Sequence, residues 1–177
     1  MCQYINVVLP ADIKTDKLKP LFAKHGLGYS PFQNSFVLGQ LKKNVQLVNT
    51  TTRQCDCGSV IGSDSNQTSK GVQPKDIERL KRKGWSETKI NNWMASKTKT
   101  DLQAQERDTE RSQWTDFLKE AIRKDNFGMV GLYIHWYDNN IFDEEITFKE
   151  KRRIPLSELQ DDTLDKLQYD TLYEFVP

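Results

Sequence analysis

Apolar residues fall along this chain in short dense blocks, and the spacing within each block predicts an element. Tyr4 to Leu9 carries Ile5, Val7, Val8 and Leu9 and stops at Pro10, the length and β-branched content of a buried strand. Leu18, Leu21, Phe22 and His25 then follow at i, i+3, i+4 and i+7, one face of a helix with Thr15 as its expected N-cap. Pro20 falls near the first turn, where a missing N–H costs least, and Gly26 is expected just past the helix end. From Gly28 to Leu41, Gly, Pro and Asn mix with Tyr29, Phe32, Phe36 and Val37, which predicts irregular or short-strand structure. Val45 to Thr52 predicts a second strand.

A turn at Cys55-Asp56-Cys57-Gly58 and a polar loop from Gly62 to Gly71 come next, and then the period changes to that of a helix. Pro74 marks a start, with Ile77, Leu80 and Lys81 on the first face up to Gly84. Ser86 is expected to cap a second helix whose inner face holds Ile90, Trp93 and Met94. A third helix, from about Asp101 to Lys124, sets Trp114, Phe117, Leu118, Ala121 and Ile122 on one side. Its first half is polar and is expected to project into solvent or onto a partner. Met129 to Tyr137 is apolar or aromatic on both faces, as in a central strand. Asp138-Asn139-Asn140 reads as a hairpin turn with Ile146 to Arg153 as the returning strand. Ser157 to Leu167 predicts a short helix and Tyr169 to Val176 a closing strand. The expected architecture is one α+β domain over 1–177, with a mixed or antiparallel sheet of four to six strands. It has a β-α-β part with the cysteine turn (1–61), a helical insertion (74–125) and a β-rich part (127–177).

Composition narrows the class. Only 36% of the 177 residues are hydrophobic, yet 10% are aromatic, which disordered chains are not. No run nears the roughly 18 apolar residues of a membrane helix, and no charged segment precedes an apolar one; a cytoplasmic location is expected. The net charge of +1 hides an asymmetry. Lys75 to Lys99 holds eight basic and three acidic residues, a net +5, whereas Asp138 to the end holds five basic and eleven acidic ones, a net −6. Such separation bears on partners, not on fold. The basic helices 75–99, joined at Gly84-Trp85-Ser86, have a helix-turn-helix outline that would track phosphates. Ile90, Trp93 and Met94 read as core, however, leaving Lys89 and Asn91 as a thin reading head. A solvated face is the favoured reading, and nucleic acid is not the expected partner. The acidic end suits a basic surface on another protein.

The candidate chemistry centres on Cys2, Cys55 and Cys57, an odd count that fits a reducing compartment better than a disulfide framework. Two thiols flanking Asp56, followed by Gly58, can reach one ion if the chain turns there. Cys2 opens the first strand and the Cys55 turn follows the second, so neighbouring strands would bring all three sulfurs to one end of the sheet. His25, at the end of the intervening helix, is the candidate fourth ligand. Three thiolates and one imidazole make a structural zinc site. A structural reading, with Cys2 a small buried hydrophobe and His25 complementing a helix C-terminus, is favoured over the metal on the sequence alone. Redox or catalytic use of Cys55 or Cys57 is a third. Nucleophilic use of Cys2 with its own amino base needs Met1 removed. His135, between Ile134 and Trp136, reads as packed and hydrogen-bonded. There is no G-x-S-x-G, H-E-x-x-H or Gly-rich phosphate loop.

Met1-Cys2-x-Tyr4, Lys24-His25-Gly26, Cys55-Asp56-Cys57-Gly58 and Lys83-Gly84-Trp85-Ser86 together resemble uncharacterised bacterial proteins that begin Met-Cys and carry a Cys-Asp-Cys-Gly motif. The resemblance spans most of the chain. It implies a bacterial cytoplasmic origin and one site made of Cys2, His25, Cys55 and Cys57, and it carries no established activity. The expected function is non-enzymatic binding of another protein, in an immunity-like or accessory role, with zinc at those four residues. The alternatives are a cysteine- or metal-dependent enzyme using Cys55 and Cys57, or a small nucleic-acid binder acting through 75–99.

Overall fold

The computed structural model describes residues 1–41, 44–63, 73–125, 127–160 and 162–177. By its internal contacts the chain divides into two compact units, Met1–Asp64 with Arg111–Pro177, and Ser65–Glu110. The first unit is built on a sheet of β1 (Cys2–Pro10), β2 (Ser30–Phe32), β3 (Val45–Asn49), β4 (Val130–Tyr137), β5 (Glu150–Pro155) and β6 (Thr171–Val176). Their order is β2-β3-β1-β4-β6-β5. Every pairing is antiparallel except β5 with β6, so the sheet is mixed and the fold is α+β.

Strand alternation sends side chains to two cores. Ile5, Val7 and Leu9 of β1, Val130, Leu132 and Ile134 of β4, and Tyr173 and Phe175 of β6 join one core. There they meet Leu18, Leu21 and Phe22 from helix α1 (Thr15–Lys24), and Trp114, Phe117 and Leu118 near the end of α4 (Glu87–Lys119). Val8, Leu47, Tyr133, Tyr137 and Leu172 point to the other face, where Val37 of α2 (Ser35–Gln40) helps to cover them. A strand buried on both faces cannot show a clean polar alternation, which is why β1 and β4 read as continuous apolar runs. Gln3 and Asn6 are the buried polar residues of β1; Asn6, fully buried, donates to the Tyr137 hydroxyl at 3.1 Å and accepts from Asn49 Nδ2 at 3.2 Å. This bridge across β3, β1 and β4 leaves a one-residue slip with unpaired polar groups in the core.

Helix ends follow the expected chemistry with small shifts. Thr15 is the first helical residue of α1 and not its cap. At the other end, Gly26 takes φ +69°, and the N–H groups of Gly26 and Leu27 reach the carbonyls of Ala23 and Phe22 at 3.0 and 2.9 Å, a Schellman closure. The short helix α2 is absent from the apolar pattern of 28–41. It is set by Asn34, which accepts from Val37 N–H at 3.0 Å and donates to the Ile141 and Glu144 carbonyls at 3.1 and 2.9 Å.

Two sequence expectations in the last third are corrected. Both edges of β4 are occupied, by β1 and by β6, so 150–155 does not return against it as a hairpin and pairs in parallel with β6 instead. The predicted helix over 157–167 is a single 3-10 turn at Leu156–Glu158 followed by turns, although Leu164 and Leu167 are buried as that helix required.

In the second unit, helix α3 (Pro74–Arg82) begins with Pro74 and ends at Gly84, φ +75°. Ser86 Oγ accepts from Lys89 N–H at 3.3 Å and starts α4. Neither Gly nor Pro occurs from Ser86 to Lys119, and the two helices expected there form one. Between Asn91 and Glu110 its positions are all half-buried or exposed, Leu102 among the exposed. Beyond Ser63, the polar stretch 62–71 lies outside the described residues. Among the described residues no helix is long and apolar enough to cross a membrane.

Phe117 touches Phe22 edge-on at 4.7 Å between ring centroids and Trp114 at 6.0 Å, with no exposed surface. Phe117→Ala is expected to cost about 3–5 kcal/mol, read as a lower urea midpoint with an unchanged slope.

Candidate metal centre

The site starts where β3 leaves β1. The two strands stay in register only as far as Asn6 opposite Asn49, so the remaining edge of β1 needs other partners. Residues 50–57 supply them. Thr50 donates to the Ile5 carbonyl from both its N–H (3.3 Å) and its hydroxyl (2.8 Å). Ile5 N–H donates to Asp56 Oδ2 at 2.8 Å, and the same oxygen accepts from the Thr51 hydroxyl at 2.6 Å. Asp56 N–H donates to the Gln3 carbonyl at 2.9 Å, and Gln3 N–H donates to Cys57 Sγ at 3.4 Å. Tyr4 adds a hydroxyl bond to the Gln54 carbonyl at 3.1 Å. The cysteine segment therefore continues the sheet edge by side chains where no strand is present. Gly58, at φ +91°, turns the chain away, and Ser59 N–H closes that turn on the Asp56 carbonyl at 3.0 Å.

Cys2 enters from the start of β1, where it lies opposite Tyr137 of β4. The Sγ atoms of Cys2, Cys55 and Cys57 all lie within 4.8 Å of one another. Thiolates bound tetrahedrally at about 2.3 Å from a zinc ion stand about 3.8 Å apart. The three are close enough to hold a metal ion, and as free thiols none is locked in a disulfide. Cys2 and Cys55 are half-buried and Cys57 is exposed. Burial, followed by Cys2, Cys55, Asp56 and Cys57, raises the pKa of the Tyr4 phenol.

His25 is placed elsewhere. Its Nε2 lies 2.9 Å from Glu120 Oε2, and the same carboxylate takes Lys24 at 2.5 Å and Lys124 at 3.1 Å. Lys24, Lys124 and His25 together pull the Glu120 carboxyl down to about 2. His135 is held as expected of a packed histidine, with Nδ1 2.6 Å from Asp170 and Nε2 3.3 Å from Glu144. Burial opposes ionisation of Glu144, but the N–H groups of Asn139 and Asp138 and the His135 ring outweigh it and lower its pKa. On the basic helices, Arg79 and Arg82 face Asp76 and Glu78 at 3.4 Å each, and Lys89 lies 4.2 Å over the Trp85 ring. The residue that sequence reasoning passed over is Asp56. Its position between the two cysteines was the only signal.

Asp56→Ala removes the acceptor for Ile5 N–H and is expected to cost about 1–3 kcal/mol, whereas Asp56→Asn, which keeps an oxygen there, costs less; chemical denaturation orders the two. Glu120 titrates far lower folded than unfolded, so its contribution is complete above the ordinary carboxylate range and fades as pH falls toward about 2. Thermal unfolding from pH 5 to pH 2 should fall less steeply in Glu120→Gln than in the parent. No protein-family model matches the sequence, nor does any curated protein or solved structure.

Proposed function

We propose that the protein binds zinc through Cys2, Cys55 and Cys57, and that it acts by binding another protein, not by catalysis. One observation carries the metal reading: every cysteine in the chain, drawn from segments more than fifty residues apart, meets at one point. Thiols with no shared role have no reason to converge. Thiolate ligands suit zinc among the biologically abundant divalent ions, and an ion here would tie the first strand to the segment that completes its edge. Binding energy at such a site appears as folding stability.

The non-enzymatic reading draws support from the histidines. Both hydrogen-bond carboxylates and neither pairs with a thiol, so the cysteine–histidine arrangement of a thiol nucleophile is missing among the described residues. A protein partner is favoured by the charge separation between 75–99 and 138–177. An immunity-like or accessory role remains the expectation for such a protein.

Protein purified under reducing conditions should carry one zinc per chain by elemental analysis. Replacing Cys2, Cys55 or Cys57 singly by Ser should weaken binding by more than the roughly 10–100-fold of an outer-shell loss, while His25→Asn should leave the stoichiometry unchanged. Zinc at 100 times its Kd should stabilise the parent by about 2.7 kcal/mol. Metal-free protein with undiminished stability, indifferent to added zinc, would overturn the assignment.

A further inference from the structure

We infer that the metal held by Cys2, Cys55 and Cys57 keeps one coordination position for a donor from outside the chain, and that this donor is an imidazole, supplied by a histidine of a partner protein. The inference rests on the zinc reading above. Its first ground is the inventory of soft ligands. The chain contains three cysteines and two histidines. All three cysteines are spent on the site, and among the described residues no fourth His, Cys, Asp or Glu ligand atom joins the group. His25 is bound to Glu120, and His135 is bound on both ring nitrogens, to Asp170 and Glu144. Asp56 lies between two of the ligands, but its Oδ2 accepts from Ile5 N–H and the Thr51 hydroxyl, and neither of its oxygens joins the three sulfurs. Counted over the described residues, a tetrahedral ion here is one ligand short.

Access is the second ground. Cys57 is exposed, and Met1, next to Cys2, is 77% exposed, so the group opens to the surface. Water can fill the position until a stronger donor arrives.

Charge selects the donor. Three thiolates outweigh a divalent ion by one negative charge, and the Asp56 carboxylate stands beside them. A fourth anion would enter against that field, whereas a neutral imidazole completes a three-cysteine, one-histidine set without adding charge. A second copy of this chain has no exposed imidazole to offer, because His25 is 8% exposed and the His135 side chain 15%. Among the described residues, then, neither this chain nor a second copy of it presents that donor, and a partner protein is the source the inference names.

Cobalt-loaded, reduced, full-length protein tests the inference with two separate readouts. Thiolate-to-cobalt charge transfer in the near ultraviolet reports the three cysteines; the visible ligand-field bands report the fourth donor. Free imidazole is expected to change the visible bands saturably while charge transfer persists, with half-saturation at least about tenfold below that of acetate, a difference of about 1.4 kcal/mol. A blocked histidine peptide and free histidine form two further arms. Tighter binding of the peptide identifies a protein side chain as the source, and equal or weaker binding overturns that part of the inference. Bands indifferent to imidazole with charge transfer intact mean that the chain closes its own site, and acetate binding as well as imidazole refutes the charge argument; either overturns the inference and leaves the zinc reading standing. Absent charge transfer overturns both. His25→Asn should respond as the parent does; a response seen only in that variant would make His25 the fourth ligand.

Discussion

Ile5 N–H donating to the Asp56 carboxylate, with Asp56 N–H returning to the Gln3 carbonyl, is the contact on which the cysteine end of the molecule depends. A strand whose neighbour stops short would expose its donors along an open edge, and such edges recruit other chains. Here the edge is finished by side chains and backbone amides of Thr50, Asp56 and Cys57, from a segment with no strand of its own. That arrangement fixes Asp56, and Asp56 fixes the residues on either side of it. Cys55 and Cys57 are carried to Cys2 as a by-product of satisfying the backbone of β1.

How much of this was legible depends on the range over which each feature is determined. The strands β1, β4 and β6 and helix α1 were readable because their apolar spacing is a local property that burial then exploits. The short helix α2 was not, since Asn34 serves both as its cap and as a bridge to Ile141 and Glu144 more than a hundred residues away. The place of β5 depends on which edges of β4 remain vacant, which is a fact about the assembled sheet. The convergence of the cysteines followed from the spacing of Cys55 and Cys57 together with neighbouring strands β1 and β3. His25 failed as a member of that group because its partner, Glu120, lies 95 residues away and nothing in the local sequence announces it. A histidine at a helix end has many uses, and the nearest carboxylate took it.

Polar groups in this protein are placed to fix register more than to add stability. Asn6, with Tyr137 and Asn49, specifies how three strands align. Arg111 and Asp165, joined by two hydrogen bonds at 2.9 and 2.6 Å, tie the end of α4 to the turns before β6. Among the described residues no buried side-chain polar atom lacks a partner. A chain with so modest an apolar content gains from such constraints, because each excludes an alternative packing that hydrophobic burial alone would tolerate.

The sheet order has a consequence for how the chain is made. β1 leaves the ribosome well before its central neighbour β4, which begins only at Val130. At 5–20 residues per second, the chain between Cys57 and Val130 takes roughly four to fifteen seconds to appear. Throughout that interval β3 and the Cys55–Cys57 segment are the sheet-edge partners of β1 already synthesised, with β4 still to come. The cysteine segment thus shields one flank of a nascent strand whose other flank stays bare until the second half of the protein emerges.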